Sequence, residues 1–434
     1  MATVEILEST LVVPAEDTPR EMLPLSNIDL INVGKPNYTI YLYKNNEGAK
    51  DFFSVEVLKS ALAKALVLFY PLAGRHVVGD DGRDQIDCNA EGVLFRVARL
   101  ERIADSIQFE PMSPEIIELF IPKEPHSSSL LQMLQVTYLK CGSVVLGTSN
   151  NHILVDGRGA AHIFQTWSRV ARGDLTCIVP PSFDNTPLRA RSPLKISFEF
   201  PMYTADPPKK EDNPKSCVLS LFKISKEQIR NLKIRCSNGS NTTRVSTFCA
   251  ISALIWKCYC IAQELDNNTK SILSFGADIR NRIRPTIPAY FGNGGIRMAA
   301  TSEVLKITSN PIGDVARTIK AEIDRLTDEY IRSLIDNLQV MLDKKMSIMN
   351  KDVSKSDLRI RTILGMPLCD VDFGWGAPQL FSWERPMENR VAYIMDELGN
   401  DAGIKIVMSL DPSTMKQFEK VFYEELLFAN EEIK

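Results

Sequence analysis

Imidazole chemistry has few places to reside in this chain. Four histidines occur in 434 residues, His76, His126, His152 and His162. One of them has a distinctive setting. The stretch Asn150-Asn151-His152-Ile153-Leu154-Val155-Asp156-Gly157 puts an aspartate four residues after the histidine and a glycine directly behind it. Histidine is the side chain best suited to take and return a proton near neutral pH. His152 is therefore a candidate general base for an acceptor hydroxyl or amine. Asp156 could orient the imidazole, or it could turn away and hold the loop. Alone, a histidine and an aspartate at this spacing also fit a structural histidine near a helix start.

Two further stretches carry reactive types. In Asp372-Phe373-Gly374-Trp375-Gly376 two glycines flank a tryptophan behind an aspartate, which describes a tight loop with one anchoring carboxylate. In Asp278-Ile279-Arg280-Asn281-Arg282-Ile283-Arg284 three arginines alternate. They could meet phosphates or serve as ion-pair partners for distant loops. Other chemistries lack their signatures. There is no G-x-S-x-G and no C-x-x-C, and Cys258 and Cys260 are too close in sequence for a zinc pair. No metal site is expected.

The elements that must position His152 are readable. Val144–Thr148 is a β-branched apolar run, paired across Lys140–Ser143 with Leu134–Leu139 as a hairpin. Gly159–Trp167 has apolar residues at helical spacing, so His152 sits where a strand ends and a helix is about to begin. Upstream, Val4–Val13 reads as a strand and Ser54–Leu68 as an amphipathic helix capped by Ser54. Gln85–Cys88 and Gly92–Ala98 read as a second hairpin turning at Asn89–Glu91. Downstream, Val218–Lys223 is strand-like and Ser225–Gln228 a capping box. Ser246–Ile261, Asp314–Leu342 and Pro412–Leu427 are helical, while Ile272–Gly276, Leu364, Val391–Met395 and Gly403–Leu410 are strand candidates.

Strands and helices mix without strict alternation, which predicts an α/β protein with mixed sheets in each half. At 434 residues two domains are expected. Eight prolines fall between Pro180 and Pro214, so residues 179–216 read as a crossover linker. It would join an N-terminal domain, 1–178, to a C-terminal domain, 217–434. The net charge of −3 gives no reason to expect a nucleic-acid partner. No apolar run approaches a membrane span, and the acidic N-terminus is unlike a signal peptide. Nine scattered cysteines read as reduced thiols of a cytosolic protein.

Weak singly, these stretches are specific together. The H-x-x-x-D-G element at His152–Gly157 and the D-F-G-W-G element at Asp372–Gly376, in this order, resemble the BAHD family of plant acyl-CoA-dependent acyltransferases. Phe69–Arg75 and Tyr290–Asn293 resemble it as well, and the likeness spans essentially the whole chain.

The resemblance implies a monomer of two chloramphenicol-acetyltransferase-like domains, with an active-site channel between them and segments after about residue 377 crossing back onto the first domain. It implies no permanently bound cofactor, with acyl-CoA as co-substrate and a small-molecule acceptor as the other partner. His152 would be the base in a direct attack on the thioester, without an acyl-enzyme. Asp156 and Gly157 would be supporting. Asp372, with Gly374, Trp375 and Gly376 in its loop, would form a structural salt bridge to Arg280. Ser246 and Thr247, at the start of the second-domain helix, are candidates for contacting pantetheine or phosphate.

Subfamily departures narrow the substrates. Relatives that make shikimate or quinate esters carry an arginine shortly before the D-F-G-W-G loop, whereas Thr362–Leu368 holds none. The expected acceptor is therefore not an acid, because a buried carboxylate without a partner is costly. A hydroxycinnamoyl-type donor is favoured. The alternatives are a short aliphatic donor, such as acetyl, or a non-catalytic acyl-CoA binder on the same scaffold.

Overall fold

The computed structural model describes residues 4–431, apart from 33–35, 46–47, 124–128, 205–216, 238–243, 345, 347–348, 351–353, 384–387 and 400–402. His126 and the polar stretch 206–212 lie outside the described residues. The chain forms two compact units. The first comprises Met1–Arg189, Ile287–Gly294 and Met366–Arg385; the second comprises Ala190–Thr286, Gly295–Gly365 and Pro386–Lys434. The division at Arg189 falls inside the proline-rich stretch.

The first unit is built on a six-stranded mixed sheet. Its strands are β1 (Glu5–Val12), β2 (Pro36–Tyr43), β3 (Val93–Leu100), β4 (Gln132–Leu139) and β5 (Val144–Asn151), in the order β1-β3-β4-β5-β2. The short strand Leu380–Ser382 closes the edge against β2. Pairing is antiparallel except between β3 and β4. Every residue of β5 except the last is buried, and its polar Thr148 and Asn150 are hydrogen-bonded to Thr39 and Gln132 on the flanking strands. Gly147 is obligatory there, since a Cβ would stand 1.8 Å from the carbonyl oxygen of Phe120.

Two long helices pack on one face of this sheet, α1 (Val55–Leu68) and α2 (Gly157–Ala171), and the short helix Pro114–Phe120 packs on the other. Ser54 caps α1 through the N–H of Val57, and Leu58, Ala61, Leu62, Ala65 and Leu66 form its buried face. Trp167 of α2 is fully buried and donates its indole N–H to the Leu58 carbonyl at 2.9 Å, which locks α2 onto α1.

The expected Gln85–Cys88/Gly92–Ala98 hairpin does not form. Asp84–Asp87 pairs with Arg75–Val78 and Met22–Pro24 in a separate three-stranded sheet, while β3 pairs with β1 and β4. Ala90 and Gly92 both adopt positive φ, 51° and 101°, which redirects the chain between sheets instead of reversing it.

The second unit repeats the plan. Its sheet has β6 (Val218–Ile224), β7 (Lys270–Asp278), β8 (Gly295–Glu303), β9 (Leu358–Thr362), β10 (Val391–Asp396) and β11 (Ile404–Leu410), in the order β6-β11-β10-β9-β7-β8. Both neighbours of β9 run parallel to it. The strand expected at Leu364 instead ends at Thr362, and Gly365 turns the chain with φ 67°. Helices α3 (Lys226–Ser237), α4 (Thr247–Ala262), α5 (Ile312–Asp324), α6 (Asp328–Asp343) and α7 (Pro412–Glu431) complete this unit. The capping box at the start of α3 is present, with Ser225 N–H to Gln228 Oε1 at 2.9 Å and the reciprocal bond at 3.2 Å. The start of this unit is tied to α6, where Arg191 bonds Asp336 and Glu329.

Among the described residues, no helix is long and apolar enough to cross a membrane. The packing of α2 yields a direct expectation. Trp167→Ala removes a fully buried ring and its hydrogen bond, and should cost about 3–5 kcal/mol in a denaturant titration.

Candidate active site

The turn carrying His152 follows β5 directly. Asn151 ends the strand, and its side-chain oxygen accepts from the Ile153 N–H at 3.1 Å, folding the chain back at once. Ile153, Leu154 and Val155 are buried, which pins the turn from below, while His152 and Asp156 stay half-buried. Asp156 is the N-cap of α2, and its Oδ1 accepts from Gly159 N–H at 2.9 Å. Its Oδ2 accepts from Gly294 N–H, also at 2.9 Å. Each oxygen thus meets a backbone donor, one from its own helix and one from the segment 287–294. Gly157 is the first helical residue, where the backbone enters α2.

That segment is the support that sequence reasoning did not assign. Asn293 donates its side-chain N–H to the His152 carbonyl at 2.8 Å and to Ile153 O at 3.3 Å. Asn293 is itself held by Asp29, whose Oδ1 accepts from the Asn293 backbone N–H at 2.7 Å and side chain at 2.9 Å. Asp29 Oδ2 accepts from the Ser26 hydroxyl at 2.6 Å, the Ser26 N–H at 2.9 Å and the Tyr290 hydroxyl at 3.2 Å. Asp29 is only 1% exposed. Burial pushes its carboxyl above the usual range, opposed by the donors from Ser26 and Asn293. The sequence signal was there, in Ser26 three residues before Asp29 and in the Tyr290–Asn293 element. Their separation in the chain hid the connection.

The Asp372–Gly376 loop lies in the same unit. Asp372 Oδ1 accepts from Gly374 N–H at 2.8 Å and Gly376 N–H at 2.9 Å. Both glycines have positive φ, 107° and 97°, so the loop needs them. Arg172, just past α2, donates to the Asp372 carbonyl. Phe373 is buried against Trp167, with ring centroids 4.6 Å apart, and Trp375 packs on Phe53 at 5.3 Å. The loop is thereby fastened to α2, the helix that Asp156 caps.

The remaining candidates lie in the second unit. The Arg280 side chain is buried and pairs with Asp278 at 3.3 Å. Ser246 caps α4, its hydroxyl oxygen accepting from Cys249 N–H at 3.1 Å. Thr247 borders an open basin of about 430 Å³ whose rim carries Lys226, Arg230, Lys233 and Arg244.

Comparison with known proteins decides the family. The Transferase family model matches residues 2–425. The chain belongs to this family, the BAHD acyltransferases. It is an acyltransferase. It is 34% identical to shikimate O-hydroxycinnamoyltransferase of Nicotiana tabacum, over 97% of this chain and 99% of that one. It is 35% identical to putrescine hydroxycinnamoyltransferase 1 of Oryza sativa subsp. japonica, over 98% and 99%. The fold is similar to that of F. sporotrichioides TRI101, solved with coenzyme A and T-2. That match has a TM-score of 0.75 at 19% identity and covers 91% of this chain and 96% of that one.

The Asp29 lattice gives a stability expectation. Asp29→Asn keeps the shape but turns an amide N–H₂ toward donors, leaving buried groups unpaired. The cost should be about 1–3 kcal/mol in chemical denaturation, whereas Asp87→Asn, at a half-buried strand end, should shift little.

Proposed function

We propose that this acyltransferase moves a hydroxycinnamoyl group from coenzyme A to a hydroxyl or amine of a small metabolite, with His152 as general base. The observation that carries the reading is the whole-length match to hydroxycinnamoyl-transferring relatives, with His152 at the one turn the Asp29 lattice supports. One of those relatives is named for an alcohol-bearing acceptor, shikimate, and the other for an amine, putrescine.

The imidazole takes the proton from the acceptor O–H or N–H as that atom attacks the thioester carbonyl carbon. A C–O or C–N bond forms, and the tetrahedral intermediate collapses by breaking the C–S bond. The proton held on His152 passes to the departing sulfur, so free coenzyme A leaves and the imidazole is neutral again. No acyl group rests on the protein. Asp156 acts as a positioning residue, since its oxygens meet backbone N–H groups that fix the turn and the helix. Asn293 and Asp29 position His152 through its carbonyl.

For coenzyme A, the basic rim around Thr247 suits nucleotide phosphates, with the N-terminus of α4 adding N–H donors. Ser246 contributes by capping that helix. The protein works as a cytosolic monomer in this reading. All nine cysteines are free thiols, and burial pushes Cys88 and Cys260 up to about 12, which keeps them protonated and inert.

A donor-by-acceptor screen read by mass spectrometry tests the proposal. Hydroxycinnamoyl-CoA should be used at least about tenfold more efficiently than acetyl-CoA. Coenzyme A release should require the acceptor, and the intact protein mass should stay unchanged during turnover. An acylated protein, or equal release without acceptor, would overturn direct transfer.

A further inference from the structure

One face of the second sheet carries more positive charge than its neighbours neutralise. On β7, Phe275 faces the helices, its ring 5.5 Å from Phe248 of α4, so Ser274 and Gly276 lie on the opposite face. The register places Arg297 of β8 beside Gly276, and Arg359 of β9 beside Ser274. Arg361, two residues on, shares that face and is paired across to Tyr393. Three guanidinium groups therefore share one face of the sheet, around a floor of small residues.

Among the described residues, only Arg361 has a carboxylate partner. Arg361 makes a two-pronged pair with Glu388, at 3.0 and 2.8 Å, and Tyr393 donates to the same carboxylate at 3.2 Å. Among the described residues, no carboxylate lies within ion-pair distance of Arg297 or Arg359, and the Arg359 Nε is buried without a hydrogen-bond partner. Burial and the neighbouring guanidinium groups hold Arg359 down to about 10, and burial lowers Arg297 as well. Among the described residues, the titratable groups that weigh on the pair are Tyr203, Arg361, Glu388 and Tyr393, of which Glu388 alone is a carboxylate. Uncompensated half-buried charge is costly to keep, and a bound anion is what would repay it. The floor is open at Gly276. A Cβ built on Gly276 meets nothing within 4 Å.

We infer that this face is a binding site for a small carboxylate, held by Arg297 and Arg359 with Arg361 fixed beside them by Glu388. Planar guanidinium groups match a carboxylate's two oxygens, which a lone ammonium does not. Resting on the transferase reading, the site names the class of acceptor as a carboxylate-bearing alcohol or amine. That would revise the expectation that the acceptor is not an acid. The expectation looked for arginine only in 362–368, and the guanidinium groups lie just upstream on β9 and across on β8.

Calorimetry on the intact protein tests the site without requiring catalysis. The probes are benzoate, shikimate and malate, each against its methyl ester, and coenzyme A against 3′-dephospho-coenzyme A. At least one acid should bind more tightly than its ester, and Arg359→Gln should weaken that acid at least about tenfold while leaving the ester unchanged. Gly276→Leu, which adds bulk to the floor at a position where a Cβ meets nothing within 4 Å, should do the same. Without ligand, Arg359→Gln should melt no lower than the wild type, because it relieves a repulsion. His152→Ala should bind the acid normally, so a failure of the base assignment leaves this result intact. If no acid outbinds its ester, or both variants bind as the wild type does, the site is refuted. If Arg359→Gln instead abolishes the preference for coenzyme A over its dephospho form, the anion is the donor's phosphate and the carboxylate assignment falls.

Discussion

A buried carboxylate with five donors is the interaction on which the arrangement around His152 depends. Asp29 pays heavily in desolvation, and the hydrogen bonds from Ser26, Tyr290 and Asn293 offset that cost only when all three residues are in place. Their assembly fixes the segment 287–294 against the first unit, where Ser182 also bonds it on both sides, through Ala289 O and Phe291 N–H at 2.8 Å. The segment then supplies two contacts to the histidine turn. Asn293 takes the His152 carbonyl, and Gly294 takes Asp156. Removal of any one donor would leave part of the desolvation of this buried carboxyl uncompensated.

This places His152 by its backbone, at the end of a strand whose position is fixed by close packing. β5 is buried along nearly its full length, and α2 is held at its start by Asp156 and along its body by Trp167. The Asp372–Gly376 loop packs Phe373 edge-to-face against that same tryptophan. Two sequence elements more than two hundred residues apart thus meet at one helix. The base proposed at His152 would benefit from such rigidity, since small displacements of a catalytic group cost large factors in rate.

Much of this was legible in the sequence, for reasons that local physics supplies. The β-branched run before His152, the spacing behind it, and the capping serines at Ser54 and Ser225 each dictate structure through neighbours a few residues away. What stayed hidden was either tertiary or conformational. Ser26 and Asp29 read locally as a turn, and nothing near them announces a partner 264 residues away. Positive φ at Ala90 and Gly92 sent a segment that looked like a hairpin into two sheets. Pro36 and Asn37 masked the start of β2, which runs between β5 and the edge strand. Arg359 and Arg361 alternate along β9 as on any half-buried strand face, and only the sheet register brings the single arginine of β8, Arg297, to them.

The most direct measurement is the single-turnover rate of His152→Ala with saturating hydroxycinnamoyl-CoA and the best acceptor from the screen. Circular dichroism and denaturant titration should show the fold unchanged. Loss of the base should slow transfer by about 10²–10⁴-fold, with donor binding measured separately and unaltered. A variant that transfers at the wild-type rate would contradict the assignment of His152 as the group that takes the acceptor's proton.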